Sequence, residues 1–274
     1  MKIIMTGHRG LIGSFLKRRL EGEGHKIVLA IDKIEDNKVD ELEDLKIDDK
    51  VDIFIHCAAL CKINNIVDDP LKGFGNVEDI QTVFEFCRKN KISKIIYFSS
   101  SRVLNKEKNA YTAGKIYGEE MCKAYKDCYG IDYLILRPST VYGPIRDRTN
   151  RLMNIFINNA LDNKDLIIFG DPESKTLDFT YVEDFVDGVM LAINGEWNKE
   201  YNISGNEEVR VIDLARFIIR EAGSESDIVV RDREVAQPQR VKVDISEIEK
   251  LGYKPKVNLW RGVRRNVEFL RGVR

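Results

Sequence analysis

The sequence predicts an α/β fold, a Rossmann-type doubly wound parallel sheet with a smaller C-terminal lobe. Three observations predict it. Short, almost wholly apolar runs alternate with segments of helical periodicity through the first half of the chain, as parallel strands covered on both faces by crossover helices do. The first run ends in Thr6-Gly7-His8-Arg9-Gly10-Leu11-Ile12-Gly13, a glycine-rich passage from strand to helix. The second ends at an acid, Asp32, nineteen residues after Gly13.

Taken in order, residues 2–6, 26–31, 52–56, 94–99 and 132–137 read as strands, and 11–20, 77–89 and 112–129 as the helices between them. The acidic stretch 32–50 has few apolar residues and reads as a trimmed crossover. Beyond Pro144 the alternation gives way to helices at 152–160, 182–194 and 211–222, with short strands at 166–169, 201–203 and 227–230. Two closing segments, 245–251 and 259–270, are helical in pattern. Residues 1–144 are thus expected to form mainly a Rossmann domain, and 145–274 mainly a substrate-binding lobe with some segments returning to the first. No repeat, low-complexity tract or Pro/Gly/Ser-rich linker separates them, so a packed pair with a cleft at the carboxyl ends of the strands is expected.

Composition narrows the classes of partner. The chain has 274 residues, 43% of them apolar, which is ample for a core. Its 44 basic and 45 acidic side chains leave a formal charge of −1, so no overall field draws it to nucleic acid or an anionic membrane surface. No apolar run approaches the roughly 20 residues that cross a bilayer, and the amino terminus passes straight into a strand, so a cytoplasmic protein is expected. The cysteines, Cys57, Cys61, Cys87, Cys122 and Cys128, lack C-x-x-C spacing, and the histidines are only His8, His25 and His56. No metal site is expected.

The glycine turn has a mechanical reading. Gly7 allows a sharp turn off the strand, Gly10 allows the backbone to approach a pyrophosphate, and Gly13 allows the helix to pack closely. The helix amino terminus then offers unpaired N–H groups to an anion. Asp32 would accept hydrogen bonds from the adenosine ribose and repel a 2′-phosphate, which favours NAD over NADP. Arg9 and Lys33, basic side chains in positions able to hold a 2′-phosphate, pull the other way.

Further along, Tyr111 and Lys115 are four residues apart at a predicted helix start, hence on one face. A neighbouring ammonium stabilises a phenolate, so Tyr111 is expected to exchange a proton with an alcohol, and Lys115 also to hold the nicotinamide ribose. Upstream, the strand that includes Ile95-Ile96-Tyr97-Phe98 opens into Ser99-Ser100-Ser101, where a hydroxyl at a strand's carboxyl end would meet the reacting oxygen. Taken alone, such serines also serve simply as turn formers. Arg146, Arg148 and Arg151 cluster after Pro144 and read either as an anion site for a diphosphate or sugar carboxylate, or as a solvated basic surface.

With these residues in place the chain resembles the extended short-chain dehydrogenase/reductases, the nucleotide-sugar epimerase/dehydratase family, over almost its whole length. The resemblance is carried by residues 7–13, His56-Cys57-Ala58-Ala59, Asn76-Val77, the serine run, Tyr111-x-x-x-Lys115 with Gly118-Glu119, residues 136–144, and Asp178-Phe179-Thr180-Tyr181-Val182-Glu183-Asp184. It implies NAD held by Gly7, Arg9, Gly10, Leu11, Ile12, Gly13, Asp32, Ala58, Ala59, Asn76, Ser99, Tyr111, Lys115 and Pro138. It also implies catalysis by Tyr111, Lys115 and a serine; counting back three residues from Val103 gives Ser100, with Ser101 the alternative because Leu104-Asn105 departs from the family's Tyr-Gly. Ser101, Thr140, Arg146, Arg148 and Arg233 are the expected nucleotide-sugar contacts.

Departures from the family narrow the chemistry. Where its dehydratases carry Thr-Asp-Glu and its decarboxylases a glutamate before the valine, Ser101 and Arg102 stand here, so an extra acid for elimination or decarboxylation is missing. Reductases similar to GDP-fucose synthase use a later histidine, and none follows His56. What remains is NAD-dependent epimerisation, at C4 of a UDP-sugar through a 4-keto intermediate. The alternatives are a related dehydratase, decarboxylase or reductase, or a non-catalytic NAD-binding regulatory protein. Thr176-Leu177-Asp178-Phe179-Thr180-Tyr181 is similar to the wording of some UDP-glucuronate 4-epimerases. The resemblance also implies a homodimer through the helices at 77–89 and 112–129, with Val83, Phe84, Met121 and Tyr125 as candidate contact residues.

Overall fold

In a computed structural model the apolar runs of the first half pair in parallel. The structure describes residues 1–32, 39–42, 45, 47, 50–145, 151–205, 207–234 and 237–273. Strands β1 (Lys2–Thr6), β2 (Lys26–Ile31), β3 (Ile53–His56), β4 (Lys94–Phe98) and β5 (Asp132–Pro138) form one sheet in the order β2-β1-β3-β4-β5. A sixth strand, β9 (Lys199–Ile203), joins beside β5, again in parallel. The chain steps from β1 outward to β2 and then crosses back to β3 on the other side. That reversal opens a crevice at the carboxyl ends of β1 and β3, where Gly7 and Cys57-Ala58 leave their strands.

Successive residues of each strand enter opposite layers, and both layers are dry. Ile3, Met5, Ile53, Ile55, Ile96, Leu134 and Leu136 pack with Leu11, Leu16 and Leu20 of α1 (Leu11–Gly22) and with Phe185 and Val189 of α6 (Val182–Asn194). Ile4, Phe54, Ile95, Tyr97 and Ile135 pack on the other side, with Ile80, Val83 and Phe84 of α3 (Leu71–Lys89) and with Cys122 and Tyr125 of α4 (Ala110–Tyr129). Burial on both faces explains why these strands read as continuous apolar runs. It also corrects the expected dimer contacts. Val83 and Phe84 are fully buried in the chain's own core and Tyr125 nearly so, its hydroxyl donating to Glu85 at 2.6 Å. They are therefore not available to a partner. In the crossover after β2, the 3-10 turn Val39–Leu42 places Val39 and Leu42 in the same layer as α3.

The first apolar layer continues without a break into the second half of the chain, taking in Phe156, Ile157, Leu177, Phe179, Val211, Leu214, Val263 and Val267. These belong to α5 (Leu152–Leu161), β8 (Thr176–Tyr181), α7 (Val211–Ala222) and α9 (Leu259–Gly272). Strand β8 lies between β10 (Glu208–Arg210) and β6 (Thr140–Tyr142), while β7 (Leu166–Phe169) pairs in parallel with β11 (Ile228–Arg231). Two short helices complete the set, α2 (Ile63–Asp68) and α8 (Ser246–Glu249). The sheet β10-β8-β6 was not expected from the sequence. Two of its strands have three residues, too few to show a period, and β8 alternates Thr176, Asp178 and Thr180 with apolar residues yet buries Asp178 and Thr180 as well.

Candidate active site

The crevice deepens into a cavity of about 880 Å³ lined from both halves of the chain. One wall is the glycine turn. Gly7 has φ +72°, a left-handed conformation, and a Cβ there would come within 2.6 Å of the Ala58 amide nitrogen. A Cβ on Gly13 would run into the Gly7 carbonyl oxygen. Both positions therefore exclude any side chain, for the reasons the spacing gave. Asp32 is buried, and one carboxylate oxygen accepts the Arg9 backbone N–H at 2.9 Å, which ties the acid to the turn. Asn76 clamps the next loop. Its Oδ1 accepts the Leu60 N–H at 2.7 Å and its Nδ2 donates to the Leu60 carbonyl at 3.1 Å. Gly7, Arg9, Gly10, Leu11, Ile12, Gly13, Asp32, Ala58, Ala59, Asn76, Ser99 and Pro138 all line this cavity. A turn that admits no Cβ, at a helix start with an acid bound to it, fits a dinucleotide.

The floor carries the reactive side chains. Asn109 opens α4 with a capping box: its Oδ1 accepts the Thr112 N–H at 3.0 Å, and Thr112 Oγ1 accepts the Asn109 N–H at 2.9 Å. The cap fixes the first turn and so aims Tyr111 and Lys115 at the cavity, which both line. Ser100 lines it too, and its hydroxyl accepts the Arg102 N–H at 3.2 Å. Ser101, like Ser100, is buried, but it lies outside the lining. Beneath the floor, Ser99 donates to Glu119, and Arg137 Nε donates to Glu119 at 2.7 Å while its Nη2 pairs with Glu200. That chain satisfies the buried Glu119 of the Gly118-Glu119 motif.

Electrostatics at the floor differ from expectation. Burial pushes the Tyr111 phenol above its ordinary value, and Cys61 adds to this. The hydrogen bond with Ser100 and the charges of Arg151 and Arg102 pull it part of the way back. Burial likewise lowers the Lys115 ammonium, whose Nζ donates to the Phe98 carbonyl at 2.8 Å and stands 6.0 Å from the Tyr111 ring centroid. Two arginines are thus among the charges that act on Tyr111, and the sequence reading gave Arg102 no place in the site.

The far wall is made by Thr140, Arg151, Ile155, Phe169, Lys175 and Leu177, with Glu234 and Gln237 at the mouth. Lys175 is buried, donating to the Phe169 carbonyl at 2.8 Å and lying 3.5 Å from Glu234. Across the mouth Asn64 donates to Glu234 at 2.7 Å, and Gln237 to Asn64 at 3.3 Å. Arg233 does not line the cavity; it pairs with Glu107 at 3.2 Å and donates to the Gln237 carbonyl at 2.9 Å on the rim. Arg146, Arg148 and Lys33 lie outside the described residues. Arg102, Lys175 and Glu234 are among the lining residues that sequence reasoning missed, because an isolated charge on a turn or loop carries no periodic signal. Among the described residues, no three His, Cys, Asp or Glu side chains converge as a metal site, and no helix is long and apolar enough to cross a membrane.

A dinucleotide turn facing a serine, a tyrosine and a lysine across one cavity defines a nicotinamide-dependent oxidoreductase-type fold and site. Residues 3–204 match the NAD dependent epimerase/dehydratase family, and the chain belongs to it. A Methanocaldococcus jannaschii protein provisionally assigned as a UDP-glucose 4-epimerase is 31% identical over 302 residues, covering 98% of each chain. Two solved structures share the fold at a TM-score of 0.90. The UDP-glucose 4-epimerase of Thermotoga maritima, determined with UDP-glucose, is 22% identical and covers 100% of this chain and 99% of its own. That of Thermus thermophilus, determined with NAD, is 21% identical with 100% of both chains covered.

Proposed function

We propose that this chain is an NAD-dependent epimerase that inverts C4 of a UDP-sugar through a 4-keto intermediate. The observation that carries the reading is the convergence of Ser100, Tyr111 and Lys115 on the same cavity as the glycine turn and Asp32. In this reading Tyr111 accepts the proton of the C4 hydroxyl while Ser100 hydrogen-bonds the same oxygen. NAD, held against the glycine turn and Asp32, would supply the hydride acceptor for oxidation at C4 and the hydride donor for reduction of the turned ketose from its opposite face. Tyr111 gives its proton back to the C4 oxygen, so the C–H and O–H bonds broken in the first half are remade in the second and net redox is zero. Lys115 and Asp32 hold the two riboses, Asn76 holds the Leu60 backbone against the cofactor, and Arg9, Leu11, Ile12, Ala58, Ala59, Ser99 and Pro138 enclose it. Thr140 and Arg151 face the sugar nucleotide.

The missing acid at Ser101 and Arg102 supports epimerisation over elimination. Further parts of the same reading are a Rossmann domain over residues 1–144 with a substrate lobe over 145–274, a cytoplasmic setting, and a homodimer. For the homodimer, the exposed Leu71 and Phe74 at the start of α3 replace the buried residues named from sequence. Incubating the purified protein with NAD and a panel of UDP-, GDP- and dTDP-sugars, and separating the C4 epimers by chromatography, tests the activity. Light scattering at micromolar concentration tests the dimer; a monomeric mass removes it. Release of 4-keto-6-deoxy sugar or of carbon dioxide in place of an epimer would overturn the reading.

A further inference from the structure

One charged group in the cavity has no use in the mechanism above. Arg102 stands two residues after Ser100, in the 3-10 turn Ser101–Leu104, and its side chain lines the cavity. Its Nη1 has lost contact with solvent and has no hydrogen-bond partner among the described residues. The carboxylates whose charge reaches it, Glu234 and Glu107, are engaged by Lys175 at 3.5 Å and Arg233 at 3.2 Å respectively. Among the described residues no hydrogen bond or ion pair engages the rest of the guanidinium either, and a charged group held at the cavity without a counter-ion forfeits part of its hydration, a share of which a ligand anion on its open edge returns.

We propose that Arg102 recognises a carboxylate carried on C5 of the sugar, which makes a nucleotide-linked uronic acid the preferred substrate over a neutral hexose. The inference rests on the epimerase reading, in which the Tyr111 hydroxyl faces C4. Arg102 follows Ser100 by two residues and lines the same cavity as Ser100 and Tyr111, which puts it on the side of the cavity that meets C4. The nucleotide diphosphate hangs from C1, across the ring from C4. The exocyclic group nearest C4 is the one on C5. A neutral hexose presents a hydroxymethyl there, which accepts one hydrogen bond and leaves the cation uncompensated. A uronic acid presents two anionic oxygens, which match the guanidinium fork. The balance of charge agrees, since seven cationic side chains line the cavity against two carboxylates, Asp32 and Glu234. Burial, which lowers the Arg102 guanidinium from its ordinary value, sets the cost that the carboxylate offsets.

The test compares UDP-glucuronate with UDP-glucose on the NAD-loaded wild type, on Arg102→Met and on Arg102→Lys, reading C4 epimers by chromatography and the affinities of UDP and both sugars by calorimetry. Wild type is expected to favour UDP-glucuronate by about 10²-fold in kcat/KM. Arg102→Met should lower that substrate's affinity by about 10²-fold, with UDP and UDP-glucose affinities within about threefold, and Arg102→Lys should recover part of the loss. Equal losses for both sugars and UDP would place Arg102 at the diphosphate or in the fold and overturn the inference. Wild type that epimerises UDP-glucose as well as or better than UDP-glucuronate overturns it too, while leaving the epimerase reading intact. A protein that binds NAD and both sugars but epimerises neither overturns that reading and, with it, the inference.

Discussion

The two walls of the cavity are made in opposite ways. On the dinucleotide side the surface is largely backbone: Gly7 and Gly13 are positions where no Cβ fits, and Asp32 is held by an amide of the turn itself. On the sugar side the surface is made of side chains from segments far apart in sequence, Arg102, Arg151, Lys175, Leu177 and Glu234. The first wall tolerates almost no substitution because its shape is the chain's own path. The second can be rewritten one residue at a time without moving the backbone, and that is where differences in substrate within one fold belong.

Substitutions on each wall should separate these two kinds of construction. The largest effect is expected for Gly13→Ala, because the added Cβ meets the Gly7 carbonyl oxygen in a turn that cannot retreat. NAD binding should be lost beyond detection by fluorescence titration, with stability in denaturant melts down by about 3 kcal/mol or more. A variant with normal NAD affinity would show that the turn is more pliable than the fold implies. On the floor, Tyr111→Phe deletes the proton-transfer atom while keeping the ring in its packed position. Turnover should fall by about 10²-fold or more with NAD and UDP-sugar affinities little changed. Wild-type turnover would remove Tyr111 from the chemistry.

Next in size comes a pH effect under the sugar wall. Burial raises the Asp178 carboxyl from 3.8 to about 6, partly offset by hydrogen bonds from Ser204 and Ser139. Because the folded value lies above the unfolded one, the unfolded chain releases this proton first, and the Asp178 contribution to stability falls as pH rises from about 4 to about 6. The loss should be about 2 kcal/mol in urea melts across that window, and Asp178→Asn should flatten it. A slope that survives the substitution would assign it to other groups. Smallest is Asp32→Ala, expected to weaken NAD by about tenfold and NADP by less, read by calorimetry. Equal losses for both cofactors would take the ribose role from Asp32.

The same contrast decides what could be read without a structure. Gly7 and Gly13 were legible because a backbone constraint leaves a residue type at a fixed spacing, Gly10 and Asp32 because they stand in register with them, and the apolar strands because burial on both faces admits little else. Tyr111 and Lys115 were legible as a pair on one helix face, although not as a pair in which burial raises Tyr111 and arginines oppose that shift. Ser100 and Ser101 are both buried, and only the folded turn shows that Ser100 lines the cavity while Ser101 does not. Arg102 looked like a missing acid rather than a cation with a place in the site, since only folding shows that its Nη1 is enclosed. Val83 and Phe84 were misjudged for a plain reason: a helix with apolar residues shows which face is apolar, not whether that face meets a sheet or a second subunit.

The addition of β9 and α6 to the first sheet has a consequence for how such a protein can change. The strand that pairs with β5 and the helix that packs on α1 both come from beyond residue 144. A cut there would leave β5 with a bare hydrogen-bonding edge and α1 with an uncovered apolar face. The two halves therefore cannot be exchanged as contiguous blocks between relatives by a single recombination. New substrate choice has to arrive by small steps in the short stretches that line the sugar wall.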